Sequence, residues 1–174
     1  MQDELLVEEV DVRRLDDPED SRVCLLSKVQ FPAIKLKTAE TTPGGGALGV
    51  KRVLPIAEPL EPSYSTKGLD RGAAAAVGLI PGIYGGWTFA ASVRNVENNT
   101  VLPVRATIKG TIAEYNIGEH TPGDLLDTDM VIHEVTDYEL KIGNDIWFKI
   151  SRKPRVLIMF GNDIFARYVS ALGA

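Results

Sequence analysis

The chain has 174 residues, 44% of them hydrophobic and 25% charged, and a formal net charge of -5. That suits a single domain with a real core, and it excludes a nucleic-acid binder working through bulk positive charge. One cysteine excludes an internal disulfide framework, and no apolar run approaches the roughly 20 residues of a membrane span.

The acidity is local. Residues 1–20 hold Asp3, Glu4, Glu8, Glu9, Asp11, Asp16, Asp17, Glu19 and Asp20 against Arg13 and Arg14. This segment reads as an acidic N-terminal arm, and residues 21–174 read as one domain. Leu5, Leu6 and Val7 could form a short edge strand ahead of a solvated loop, or belong to an ordinary polar arm. Met1-Gln2-Asp3-Glu4 lacks the basic start of a signal peptide.

Residues 23–37 predict one long strand, in which Pro32 demands an edge position or a bulge. A glycine-rich loop follows, Pro43-Gly44-Gly45-Gly46-Ala47-Leu48, and the chain resumes extended from Val50 to Leu54. Pro55, Pro59 and Pro62 forbid a helix there. Residues 23–63 therefore read as two long arms joined by a loop. Residues 69–79 are the best helix candidate, with Asp70 as N-cap and the alanines as helix formers.

Trp87, Phe89, Ala91 and Val93 alternate with smaller or polar residues. After the turn residues Glu97-Asn98-Asn99, so do Leu102, Val104, Ala106 and Ile108. Period-two alternation on both sides of a turn predicts a hairpin. A second hairpin is predicted over residues 129–150. With Gly143-Asn144-Asp145 as a three-residue loop, Ile142 faces Ile146, Leu140 faces Phe148 and Tyr138 faces Ile150. Glu139 then lies opposite Lys149 on the other side. The pattern Gly-Asn-Asp-Ile recurs at residues 161–164 and predicts another turn after a strand over residues 156–160. The fold class is mainly β, a barrel or sandwich with two long hairpins and one short helix.

No chemistry emerges from the motifs. Gly44-x-Gly46-x-x-Gly49 matches a dinucleotide fingerprint as a string, but the prolines that follow open no helix to hold a pyrophosphate. His120 and His133 with one cysteine give no zinc spacing. Asn98-Asn99-Thr100 reads as turn chemistry. No catalytic residue, metal or cofactor is assigned. Cys24, beside Val23, Leu25 and Leu26, reads either as a small buried hydrophobe or as a cross-link to another protein.

The run from Leu26 to Lys37, LSKVQFPAIKLK, resembles the opening strand of the major tail tube proteins of contractile-tail bacteriophages. The resemblance continues through Pro43-Gly44-Gly45-Gly46-Ala47, Ser65-Thr66-Lys67-Gly68-Leu69-Asp70 and both hairpins, and ends around Gly161-Asn162. It covers about residues 23–174, and residues 1–20 match least. It implies that each subunit contributes two long hairpins to a closed barrel shared by a hexameric ring, with a helix packed on the outside, and that rings stack into a hollow tube. The implied partners are copies of the chain, a contractile sheath, baseplate or initiator proteins and a tail terminator. DNA would pass through the lumen without specific binding, and the tail would be assembled in the host cytoplasm as part of the virion. Type VI secretion and tailocin tubes share this architecture. Residues 43–48 would be the ring-stacking loop. The other classes left open are a soluble β-sandwich with residues 40–49 as a ligand loop, and a small hydrolase.

Overall fold

The computed structural model describes residues 4–17, 19–41, 48–78 and 84–173. In chain order the elements are β1 (Leu5–Arg14), β2 (Leu26–Gln30), β3 (Leu36–Thr41), β4 (Val50–Ala57), β5 (Ser63–Lys67) and α1 (Arg71–Ala75). Then follow β6 (Gly85–Asn95), β7 (Val101–Ile117), β8 (Asp127–Ile142), β9 (Asp145–Ser151), β10 (Val156–Met159), β11 (Asn162–Asp163) and α2 (Ala166–Ala171). Among the described residues, all strands but two join one antiparallel sheet in the order β1-β6-β7-β8-β9-β10-β11, with β5 and β2 branching from β8. The other two strands, β3 and β4, pair only with each other.

The first predicted hairpin is β6 and β7. Trp87 lies opposite Ile108 and Phe89 opposite Ala106. The alternating set Trp87, Phe89, Ala91 and Val93 is buried, as the period-two pattern requires. The second hairpin is β8 and β9, with Tyr138 opposite Ile150, Glu139 opposite Lys149 and Leu140 opposite Phe148. Its tip departs from the expected three-residue loop. Ile142 pairs with Asp145 and Lys141 with Ile146, so Gly143-Asn144 alone makes the turn and Trp147 is an extra residue. A bulge at Trp147 lets the tight turn coexist with the expected pairs below it, so the faces do not mix. Gly143 takes φ +62°, as the first position of such a turn favours.

β8 is kinked midway. Its register against β7 jumps between Lys109–Asp137 and Thr111–His133, and Glu134 there has φ +50°. Gly110 sits at the jump, where a Cβ would come within 2.7 Å of Ile132 Cγ2 and 2.8 Å of the His133 carbonyl oxygen. The kink divides the strand's partners. Residues 127–131 pair with β5, and residues 137–142 pair with β9. This branching curls the sheet around its core of Val12, Tyr64, Trp87, Phe89, Ile108, Ile112, Met130, Ile132 and Tyr138. Burial pushes the Tyr138 hydroxyl up to about 12.

The structure departs from three further expectations. Residues 23–37 are not one strand: β2 ends at Gln30, the chain leaves the ladder around Pro32, and β3 begins at Leu36. Proline lacks the donor a ladder needs, and here the result is a complete break, which lets β2 stay on the sheet while β3 leaves it. The helix spans only Arg71–Ala75. Asp70 caps it by accepting from Ala73 N at 2.9 Å, but Val77 is already bridged to Ile112. Cys24 lies in a turn, not in a strand. α2 has no counterpart among the sequence expectations.

Residues 5–14 of the acidic segment form the edge strand β1, paired along β6, with Val12 fully buried. Behind β1 lies a buried polar lock. Arg22 and Asp70, 3% and 7% exposed, form a direct ion pair, and Asp20 lies 2.8 Å from the same guanidinium. The Arg22 backbone N–H donates to Asp11 at 2.9 Å, and its side chain donates to the Val12 carbonyl at 3.4 Å. Burial acts to lower the Arg22 pKa, but the hydrogen bond to Asp70 and the surrounding carboxylates raise it overall. The guanidinium also sits 5.7 Å from the Trp87 ring centroid. One arginine thus ties β1, the cap of α1 and the core together.

Candidate assembly surfaces

The groups that could carry chemistry are dispersed. His120 lies exposed in the loop after β7. His133, on β8, has Nε2 3.3 Å from Glu114 and Nδ1 3.9 Å from Glu61, an arrangement of polar side chains on the exposed surface. No group of three or more metal-binding side chains occurs among the described residues. No helix among them is long and apolar enough to cross a membrane. Cys24 is a free, exposed thiol, so the buried-hydrophobe reading does not hold for this chain.

The exposed face of β7, β8 and β9 is polar with mixed charges. Lys109 lies opposite Asp137 and Thr107 opposite Glu139, and Glu139 lies 2.8 Å from Lys141 and 3.0 Å from Lys149. The bond from Lys141 is the chief cause that holds the Glu139 carboxyl below its usual range. Desolvation opposes it and Lys149 adds to it. Because the folded pKa is lowered, this stabilisation is present above about pH 4.5 and is lost as pH falls through the folded value. Glu139→Gln should therefore destabilise the subunit by roughly 0.5–1 kcal/mol at pH 7, a small effect because both lysines are half exposed. In urea titrations across pH, the gap to the parent should close on acidification. A gap unchanged at pH 3 would contradict the assignment.

The apolar surface left uncovered is more telling. β3 and β4 form a two-stranded ribbon outside the main sheet, joined at its root by Glu58 N–H donating to the Lys35 carbonyl at 2.8 Å. Val53 is 64% exposed, and Val50, Leu54 and Ile56 are also exposed. A lone two-stranded ribbon cannot bury its own apolar side chains. Of the expected stacking loop, Leu48 is exposed at the head of β4. Pro43, Gly44, Gly45, Gly46 and Ala47 lie outside the described residues.

Sequence reading missed a second surface. Trp147 and Phe160 meet at the adjoining tips of the β8–β9 and β10–β11 hairpins, with ring centroids 5.2 Å apart. The available signal was the repeated Gly-Asn-Asp-Ile string, which marks a turn beside each of Trp147 and Phe160 and was read only as turn chemistry.

A mainly antiparallel sheet with a detached ribbon, open strand edges and exposed apolar tips defines a class of protein built to assemble. The match to the phage tail tube protein FII family covers residues 19–173, and the chain belongs to that family. It is a structural subunit of a tail tube and a virion component, not an enzyme. None of the curated proteins matches the chain. Among solved structures, a chain of the anti-feeding prophage (AFP) baseplate, imaged by cryo-EM with 6-fold symmetrisation, is similar in fold. Identity is 9%, with 83% of this chain and 95% of that chain covered and a TM-score of 0.50. The family membership does not favour the β-sandwich module with a ligand loop.

Proposed function

We propose that the chain forms hexameric rings that stack into the inner tube of a contractile tail, through which DNA passes on ejection. The observation that carries this is the β3–β4 arm, whose side chains Val50, Val53, Leu54 and Ile56 are exposed among the described residues. A neighbouring ring supplies cover for them. Open edges on the main sheet are satisfied in the same way, by pairing around a closed ring. The contact is heterologous, so rings close and layers stack without limit until a terminator protein caps them. The sheath and the baseplate or initiator proteins are the remaining partners. The baseplate origin of the structural neighbour supports assembly with such components. The balanced charges of the β7–β9 face suit a wall that DNA passes without sticking. The acidic loop after β1 lies at the tube's outside, and assembly takes place in the host cytoplasm.

Replacing residues 42–48 by a two-residue turn tests the stacking role. Rings should survive and long tubes should be lost in electron micrographs. Tubes of normal length would remove the loop from the stacking contact.

A further inference from the structure

Two hairpin turns, Gly143-Asn144 and Phe160-Gly161, lie side by side at one end of the main sheet. Phe160 N–H donates to the Trp147 carbonyl at 2.8 Å, which fixes one tip against the other. Both residues depart from local rules. Trp147 is bulged out of the ladder, and Phe160 holds φ +48°, a conformation in which a bulky residue is rare. Glycine or asparagine would make the same turn without strain. The Phe160 ring leans on Phe148, at 5.3 Å between centroids, yet the residue stays 61% exposed. Folding favours a small residue here and solubility favours a polar one. Neither explains a phenylalanine.

We propose that this aromatic tip is the seat for the β3–β4 arm of a second copy of the chain. The inference rests on the stacking role proposed for the arm and names the surface that receives it. Three observations support this occupant. The first is placement. The root of the arm, at Ile56 and Ala57, shares a groove with Ser151, Arg152 and Val156, at the far end of the β9–β10 hairpin from Trp147 and Phe160. The seven residues of β9 separate the two ends by roughly 20 Å. The root of the arm and the seat therefore lie at opposite ends of the β9–β10 hairpin, a separation that lets the contact repeat along an axis.

The second is charge. The described arm carries Lys37, Lys51 and Arg52 against Glu40, while the tips carry Asp145 and Asp163. The third is apolar complementarity. The arm offers Val53 on one face and Leu54 on the other, and the tip offers Ile146, Trp147 and Phe160, all exposed in the single chain. A buried aromatic anchor rimmed by opposite charges is the usual form of an energetic centre in an interface.

The test is photocrosslinking in tails assembled from the full chain with its partner components. A benzophenone amino acid is placed at position 160 in one preparation and at position 53 in another. The proposal predicts that the position-160 probe captures residues 50–57 of a second copy, and that the position-53 probe captures residues 145–163. Capture of another protein by the position-160 probe, or no adduct, overturns it. If the position-53 probe captures a second copy elsewhere, the arm stacks but this seat is wrong. If it reaches no second copy, the stacking reading itself fails. A charge exchange supplies a second readout. Asp145→Lys with Asp163→Lys should shorten tubes about tenfold or more, and adding Lys51→Glu with Arg52→Glu should restore their length. No loss in the first variant overturns the seat, as does no restoration in the combined one.

Discussion

Asp70→Ala should lower subunit stability by about 3–5 kcal/mol, because it leaves the buried Arg22 guanidinium without its main partner. Asp70 also caps α1, whose first-turn donor Ala73 N would lose its acceptor, adding about 1 kcal/mol. For a domain of this size each kcal/mol shifts Tm by roughly 2–4 °C, so a fall on the order of 10 °C is expected. Asp70→Asn should be milder, since the amide oxygen can still cap while the ion pair is broken. The double variant Arg22→Met with Asp70→Leu should be more stable than Asp70→Ala, because it removes the uncompensated charge altogether. Urea unfolding of dispersed subunits measures all three. A loss below 1 kcal/mol for Asp70→Ala would show that the pair does not lock β1 and α1 together.

Phe89→Ala should cost about 3–5 kcal/mol. Phe89 is fully buried, with its ring 6.2 Å from Phe31 and 5.8 Å from Tyr64, both near-perpendicular. These contacts join β6 to β5 and to the connection after β2, so the cavity would open where three segments meet. Val53→Ala is the counterpart. Val53 is 64% exposed in the single chain, and its truncation should change subunit stability by no more than about 0.5 kcal/mol. It should nonetheless weaken tube formation. A stability loss from Val53→Ala comparable to that from Phe89→Ala would mean the arm is packed within its own chain, against the present account.

How much of this was legible depended on whether a feature is local. Trp87 to Val93 and Leu102 to Ile108 alternate strictly, so their hairpin and its buried face follow from period two alone. The pairs Tyr138–Ile150 and Leu140–Phe148 were legible for the same reason. The tip was not, because a tight turn plus a bulge gives the same pairs below it as a longer loop, and only backbone geometry separates the two. Pro32 signalled an interruption but not its consequence, that β2 and β3 go to different sheets. That depends on β5 arriving as a partner for β2 from more than thirty residues away. The lock between Arg22 and Asp70 spans 48 residues and has no periodic trace. The pairing of Trp147 with Phe160 was hidden because the alternation put Trp147 on the polar face and said nothing of which hairpin tip would lie beside it.

Under the proposed function, this chain becomes a wall only when copies meet around a ring and along an axis. Negative-stain electron microscopy of the purified full chain at high concentration tests it most directly. Six-fold rings with an open centre, and hollow tubes of stacked rings, are the expected result. A monodisperse population of single subunits, with neither rings nor tubes, would contradict it.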